Sequence, residues 1–385
     1  MPLRVCITGL GESKSIGGLS EDEFHHRISK ASGGQIQVTF VNNKGRYHRN
    51  DSNVARPWEN REPLGWLFSY PSVCLRNLSN LIRQDILVTD SIAMAGVIVC
   101  LFSRLFKKKS MITIHGHYEE ERLKKPLSPV RNILFATGSK FILRFASTFV
   151  TNDEQIAQKL VRKGVQSSRV SVRYVFADTK KFSRVWVTED GFQEFISHFR
   201  LPEKYALYVG DLTYWDGAQD MVEIIKRIHS RLPAVKFVLI GEGSLKSWIS
   251  QFIRESNLNG LVFQIDNLDH KLMPFAYYGA DVLICPLHPP QAGVGRITLE
   301  GLSMELPVIA YDIGELHHVV KDKETGYLVP EGDTDLMAEK TVSLLMTRDL
   351  KIKLGRNGRK LVQYDYDIDT YIGNWLQSLY SLGSI

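Results

Sequence analysis

The sequence predicts an α/β chain built on two doubly wound parallel sheets, and three observations lead there. Short apolar runs of strand length alternate with helix-length segments along most of the chain. The alternation pauses near Phe182 and restarts near Lys204, and 385 residues exceed what one ordinary core of roughly 150 residues holds. Hydrophobic residues at 44% and charged residues at 23% match a globular chain and exclude a disordered, collagen-like or fibrous one.

The elements follow in order. RVCITGL (4–10) reads as a buried strand, followed by a glycine loop and a helix from Glu21 to Lys30. GQIQVTFVN is the second strand, and the polar, irregular stretch 43–65 has the composition of a long mobile loop. Asp85 to Val88 forms a short strand, Ser91 to Phe106 an apolar helix and SMITIHG the next strand. That helix is 16 residues long and contains Arg104, too short and interrupted to cross a bilayer, so a crossover helix is expected. STFVTN, a helix from Asp153 to Lys163, and RVSVRYV complete the first half.

Phe182 to Pro202 reads as a linker with a capped lead-in. Beyond it, KYALYVGDL, VKFVLIGEG, LVFQID, DVLICPL, LPVIAYDI and TGYLVP are strands. Helices are expected at Gln219–Leu232, Lys246–Ser256, His270–Gly279 and Arg296–Met304. Ligands of such sheets bind beyond the carboxyl ends of the strands, so the expected site is the cleft between the domains.

Several functions are excluded by what the residues lack. Cys6, Cys74, Cys100 and Cys285 lie far apart with no CxxC pair, which argues against a zinc ribbon or disulfide scaffold and for a reducing compartment. His115-Gly116-His117 and His317-His318 have no third and fourth ligand nearby, so no metal is expected. Asp365, Asp367 and Asp369 imitate a calcium loop, but Thr370 and Leu376 stand where glycine and glutamate belong, and capping of a last helix (Tyr371–Tyr380) is expected instead. The opening GLGES does not continue into a dinucleotide fingerprint. No apolar run follows a basic patch at the start, so no signal peptide is expected, and the Asn77-Leu78-Ser79 sequon has no role in a cytoplasmic chain.

The net charge is +6, and one region carries all of it. From Arg104 to Arg144, ten basic residues face only Glu119, Glu120 and Glu121, a balance of +7 that leaves −1 for the rest. Such a stretch seeks an anionic lipid surface or a nucleic acid, unless it is merely a solvated face, and no nucleic-acid reading motif accompanies it. At 100° per residue Ile133, Phe141 and Phe145 cluster on one side with Leu134 close by, while Arg131 and Lys140 flank them. The alternative is that this apolar side packs on the sheet.

The second half, read as YVGDLTYWDG, KFVLIGEG and then the span from Ala280 to Asp333, resembles the donor-binding domain of glycosyltransferase family 4. The glycine, glutamate and proline punctuation of that span falls at the family's spacing. The first half is similar more loosely, through SIGG (Ser15–Gly18), TIHG (Thr113–Gly116) and ADTKKF. The resemblance implies a GT-B fold, two Rossmann-like domains facing a cleft. It implies an acceptor-side domain at 1–183, a nucleotide-sugar domain at 184–366 and a helix at 367–385 returning to the first domain. It also implies a retaining hexosyl transfer from a nucleoside diphosphate sugar to a lipid or glycan hydroxyl, without metal or bound cofactor. The leaving diphosphate itself takes the acceptor proton, so no enzymic nucleophile is needed.

Residue roles follow from the same resemblance. Gly293 and Gly295 form a loop aimed at the helix that starts at Arg296, whose amino terminus suits a diphosphate. Glu300 accepts from the ribose hydroxyls, and Arg296 adds a charge. His115 stands beside the transferred sugar and its phosphate, and Gly17 and Gly18 let a backbone approach the diphosphate. The chain departs from the pattern at Ala292, where the family carries a glutamate, and at Asp211 and Asp216, where it carries an arginine and a lysine. Three readings stay open at this point: a cytoplasmic, membrane-peripheral hexosyltransferase, a non-catalytic GT-B protein that binds a nucleotide, a glycan or a partner enzyme, and a non-hydrolysing nucleotide-sugar epimerase on the same architecture.

Overall fold

Parallel strands covered on both faces are unbroken apolar runs, and the computed structural model has two such sheets. It describes residues 2–8, 15–16, 19–41, 81–89, 94–114, 129–289 and 294–383. The chain divides into two units, Met1–Arg173 with Tyr371–Ile385, and Tyr174–Thr370. The long loop expected at 43–65, the sequon and Cys74 lie outside the described residues.

The first unit holds β1 (Leu3–Thr8), a small antiparallel pair β2 (Ser15–Ile16) and β3 (Leu19–Ser20), β4 (Ile36–Val41), β5 (Ile86–Thr89), β6 (Lys109–Ile114), β7 (Thr148–Thr151) and β8 (Val170–Val172). Its sheet runs β4-β1-β5-β6-β7-β8, every described pair parallel. Helices α1 (Glu21–Ala31), α2 (Met94–Leu105), α3 (Pro129–Phe145) and α4 (Glu154–Arg162) connect the strands. The last begins on Asp153, whose carboxylate accepts from the Ile156 N–H, and ends on Lys159 and Arg162, in line with the helix dipole.

The apolar side expected on α3 divides in the structure. Phe141 and Phe145 pack against the core beside the fully buried Ile142, whereas Ile133 is 64% exposed. The Arg104 guanidinium lies 4.4 Å from the centroid of Phe145. Among the described residues no helix is long and apolar enough to cross a membrane.

The second unit carries α5 (Glu189–Phe199), β9 (Tyr205–Val209), α6 (Ala218–Arg231), β10 (Phe237–Ile240), α7 (Lys246–Glu255), β11 (Val262–Ile265), α8 (Met273–Gly279), β12 (Ala280–Cys285), α9 (Arg296–Ser303), β13 (Val308–Tyr311), β14 (Gly326–Val329), α10 (Thr334–Met346) and α11 (Arg348–Asp365). Its parallel sheet runs β11-β10-β9-β12-β13-β14, so strand order reverses between β9 and β12. Helices α10 and α11 fill a stretch to which the strand–helix reading assigned nothing.

Two expectations need correction. The segment read as a linker contains α5, capped by Thr188 and buried through Phe192, Phe195 and Ile196. Phe195 stacks on Phe275 of α8 at 5.9 Å, so this helix belongs to the second core. The helix expected from His270 starts at Met273, because Pro274 has no N–H to donate and is tolerated only in a first turn. The compact units divide at Arg173/Tyr174 and Thr370/Tyr371. Within the second unit Ala177 bridges to Asp367, and the Phe182 carbonyl accepts from Ser303 Oγ at 2.6 Å.

The closing helix α12 runs from Ile368 to Gly383, longer than the expected Tyr371–Tyr380. Asp367 Oδ1 accepts from the Asp369 N–H at 2.8 Å at its start. Trp375 meets Phe24 edge on at 5.3 Å, and Ser378 accepts from Arg173 at 2.6 Å, which ties this helix into the first unit.

Candidate functional site

A parallel sheet binds ligands where its strand order reverses, because the loops leaving the two flanking strands splay apart there. In the second unit that point lies between β9 and β12. The loop after β9 is held from below by Tyr208, whose hydroxyl lies 2.9 Å from the Asp211 carbonyl and 3.0 Å from that of Asp216. Burial, then the charges of Asp216 and Asp211, push the phenol well above its ordinary range, so it remains a donor. Thr213 Oγ1 donates to Asp216 Oδ2 at 2.8 Å. Gly217 closes the loop at φ +73°, where a Cβ would lie 1.7 Å from the Pro286 carbonyl oxygen, so only glycine lets the two loops touch. The His288 N–H donates to the Trp215 carbonyl at 2.9 Å and joins them again.

The loop after β12 leads into α9. Gly295 takes φ +71° at its N-cap, and no side chain among the described residues caps that end. The first N–H groups of α9 are therefore available to an anion. Arg296, the first residue of the helix, is half exposed, with Nε 3.7 Å from Glu300 Oε1. Glu300 itself is buried. His270 Nε2 lies 2.8 Å from its Oε1, and the Tyr277 hydroxyl donates to Oε2 at 3.2 Å. Tyr277 is held well above its ordinary range by burial and then by the charge of Glu300, so it stays a donor. Each carboxylate oxygen has two lone pairs, which leaves acceptor capacity for a vicinal diol. Burial pushes the Cys285 thiol at the end of β12 up to about 12, so it is no nucleophile at neutral pH.

A second polar cluster stands at the ends of β12, β13 and β14. His288 Nδ1 lies 2.8 Å from Glu331 Oε1 and its Nε2 lies 3.1 Å from Asp220 Oδ2. Tyr311 donates to the same Asp220 oxygen at 2.6 Å. Among the described residues no group of three or more His, Cys, Asp or Glu side chains is arranged to hold a metal ion.

Of the residues singled out in the sequence, Gly295, Arg296 and Glu300 come together at the start of α9, and Asp211 and Asp216 sit on the neighbouring loop. Gly17, Gly18, His115, Ala292 and Gly293 lie outside the described residues. His270, Tyr277, Asp220, His288 and Glu331 were not singled out, since no spacing in the sequence links them.

Two Rossmann-like parallel α/β units, the second with a reversal of strand order, are the elements of the GT-B fold. Residues 190–361 match the family described as Glycosyl transferases group 1, and residues 30–181 match Glycosyltransferase Family 4. The chain belongs to this family of glycosyltransferases.

Among its relatives, the capsular polysaccharide biosynthesis glycosyltransferase CapM of Staphylococcus aureus is 28% identical over 178 residues, 45% of each chain. The putative glycosyltransferase EpsD of Bacillus subtilis (strain 168) is 23% identical over 274 residues, 69% of this chain and 68% of that protein. The match to CapM thus spans about half of that relative's length. Among solved structures, Anabaena HepE in complex with UDP superposes with a TM-score of 0.73 at 14% identity, covering 98% of this chain and 100% of that one. Sucrose-phosphate synthase from Thermosynechococcus elongatus superposes with a TM-score of 0.74 at 18% identity, covering 99% of each.

Proposed function

We propose that this glycosyltransferase moves a hexose from a nucleoside diphosphate sugar to a lipid or glycan hydroxyl, with retention of configuration. The observation that carries the reading is the buried Glu300 beside the uncapped amino terminus of α9, a diol acceptor next to an anion site. The bond from the anomeric carbon to the diphosphate breaks, and the acceptor oxygen bonds to that carbon from the same face. The hydroxyl proton leaves on the diphosphate. Uridine is the first nucleotide to test, since HepE is described in complex with UDP and with UDP-glucose. The name of CapM supports a role in polysaccharide biosynthesis.

A lipid-borne acceptor fits a chain that attaches to an anionic membrane surface. Leu101, Leu105 and Ile133 are exposed at 48%, 73% and 64%, and Arg104, Lys107, Lys140 and Arg144 are exposed with them.

A thermal-shift screen against uridine, guanosine and adenosine diphosphate sugars tests the donor. A ligand at a hundred times its Kd stabilises by about 2.7 kcal/mol. No shift with any of them at millimolar concentration would defeat the reading. The second reading, a GT-B protein without transfer activity, is favoured by Asp211 and Asp216 in place of cations. Donor binding without nucleotide release in the presence of acceptor extracts would select it.

A further inference from the structure

The ring that steadies Glu300 is itself held from behind. Lys181 Nζ lies 3.3 Å from His270 Nδ1 and donates to the His270 carbonyl at 3.1 Å, while the other ring nitrogen, Nε2, lies 2.8 Å from Glu300 Oε1. We propose that Lys181 is a positioning residue of the donor site: by fixing the tautomer and the orientation of His270, it keeps the Glu300 carboxylate set as the acceptor for the ribose diol of the nucleotide. This deepens the transferase reading and rests on its assignment of Glu300.

An ammonium has three donors and no acceptor, so the ring nitrogen it meets accepts. The ring proton then sits on Nε2, where it points at Glu300 Oε1 and donates. Without the ammonium, Nδ1 would meet water, because the His270 side chain is 46% exposed. Water both donates and accepts, so it selects neither tautomer and leaves the ring free to turn about its one remaining contact.

The lysine is held as firmly as the ring. Asp178 Oδ1 accepts from the backbone N–H groups of Lys180 and Lys181, both at 3.1 Å. The next residue, Phe182, is buried and lies against the imidazole with ring centroids 5.4 Å apart. Its carbonyl accepts from Ser303 Oγ, one turn beyond Glu300 on α9. The segment that carries Lys181 is thereby fastened to the helix that carries Glu300, and an arrangement formed before the nucleotide arrives loses little entropy on binding. The adjacent Lys180 points elsewhere, its Nζ donating to Asp369 Oδ2 at 2.9 Å. Removing Lys180 takes away the same charge one position along and leaves the contact to His270 in place.

The test uses the full chain with isotope-labelled histidine. Proton–nitrogen correlation NMR reads the ring nitrogens, the His270 signal being the one lost in His270→Ala, and calorimetry follows UDP and 2′-deoxy-UDP. In the parent without nucleotide, the proton is expected on Nε2 with Nδ1 as acceptor. Lys181→Met should shift the Nδ1 resonance, whereas Lys181→Arg, which still donates, should hold it near the parent position. Lys181→Met is expected to weaken UDP about threefold and 2′-deoxy-UDP less, since the deoxy sugar lacks one of the hydroxyls that Glu300 accepts. Lys180→Met should bind both as the parent does. In the His270→Ala background Lys181→Met should have no further effect on UDP. The proposal is overturned if Nδ1 carries the proton in the parent, or if Lys181→Met leaves the Nδ1 resonance where it was. It is also overturned if Lys181→Met weakens UDP equally with and without His270, which would put the lysine on the nucleotide itself, or if Lys180→Met weakens it as much. Failure of the parent chain to bind UDP would count against the donor reading alone, because the ring nitrogens are read without ligand.

Discussion

His270 Nε2 lies 2.8 Å from Glu300 Oε1 although 30 positions separate the two residues. The imidazole and the Tyr277 hydroxyl take one carboxylate oxygen each, which fixes the plane of a group that is otherwise buried. Glu300→Ala should weaken UDP binding by roughly 1.5–3 kcal/mol, the range for hydrogen bonds to a charged group. His270→Ala should cost less, about 0.5–1.5 kcal/mol. The two losses should be non-additive by at least about 0.5 kcal/mol, because the histidine acts through the glutamate. Calorimetry on the two single variants and the double variant decides this, and equal affinity of Glu300→Ala and the parent removes the ribose assignment.

Asp211 and Asp216 place two negative charges on the loop next to α9. At about 5 Å and an effective dielectric near 20, one charge pair is worth roughly 3 kcal/mol. Asp211→Arg combined with Asp216→Lys should therefore tighten UDP binding. Asp211 should supply the larger part, because it is exposed while Asp216 is engaged by Thr213. If the double variant binds UDP no better than the parent, the loop lies away from the diphosphate.

Gly217 and Gly332 both have left-handed backbones, at φ +73° and +78°, but their surroundings differ. An added Cβ at Gly332 meets nothing within 4 Å, whereas at Gly217 it collides with the Pro286 carbonyl. Gly332→Ala should cost about 1–2 kcal/mol, the backbone term alone. Gly217→Ala should cost clearly more and also reduce UDP affinity, since it separates the two site loops. Urea denaturation reads the first difference, and a similar loss at both positions contradicts the close approach.

The buried thiols make stability fall in alkali. Burial pushes Cys100 and Cys285 from an ordinary 9.0 up to about 12, and Tyr371 from 10.0 to about 12. Between about pH 9 and pH 12 the unfolded chain releases protons that the folded chain retains, so the unfolded state binds fewer protons and stability declines as pH rises. Denaturation midpoints should fall across that window, and Cys285→Ala should flatten part of the slope. A midpoint unchanged from pH 8.5 to pH 11 opposes this.

Attachment to lipid should depend on charge. Vesicles containing phosphatidylglycerol should sediment the protein at low salt and release it as salt rises, because exposed charges are screened beyond about 10 Å at 0.1 M. Lys107→Glu with Lys140→Glu and Arg144→Glu should abolish it, at about 1 kcal/mol per cation near the surface. An absence of sedimentation with such vesicles at low salt defeats the idea.

The sequence by itself determined the alternation of strands and helices, because a parallel strand buried on both faces must be an unbroken apolar run such as ILVT in β5 or FVLI in β10. It also determined where α9 begins and that Glu300 lies one turn inside it, since glycines before a helix and a carboxylate within it are local features. Helix α5 lies in the segment read as a linker with a capped lead-in, and what makes it part of the second core is a contact distant in sequence, Phe195 on Phe275. Only the tertiary structure decided the partners at the site. Tyr311 at the end of β13 reaches Asp220 in the first turn of α6 across 91 positions, and His288 beyond β12 reaches Glu331 beyond β14 across 43, because the order β9-β12-β13-β14 brings these ends together. Periodicity shows which face of a strand is buried, but not which strand lies beside it, and pairings of side chains at strand ends depend on that order.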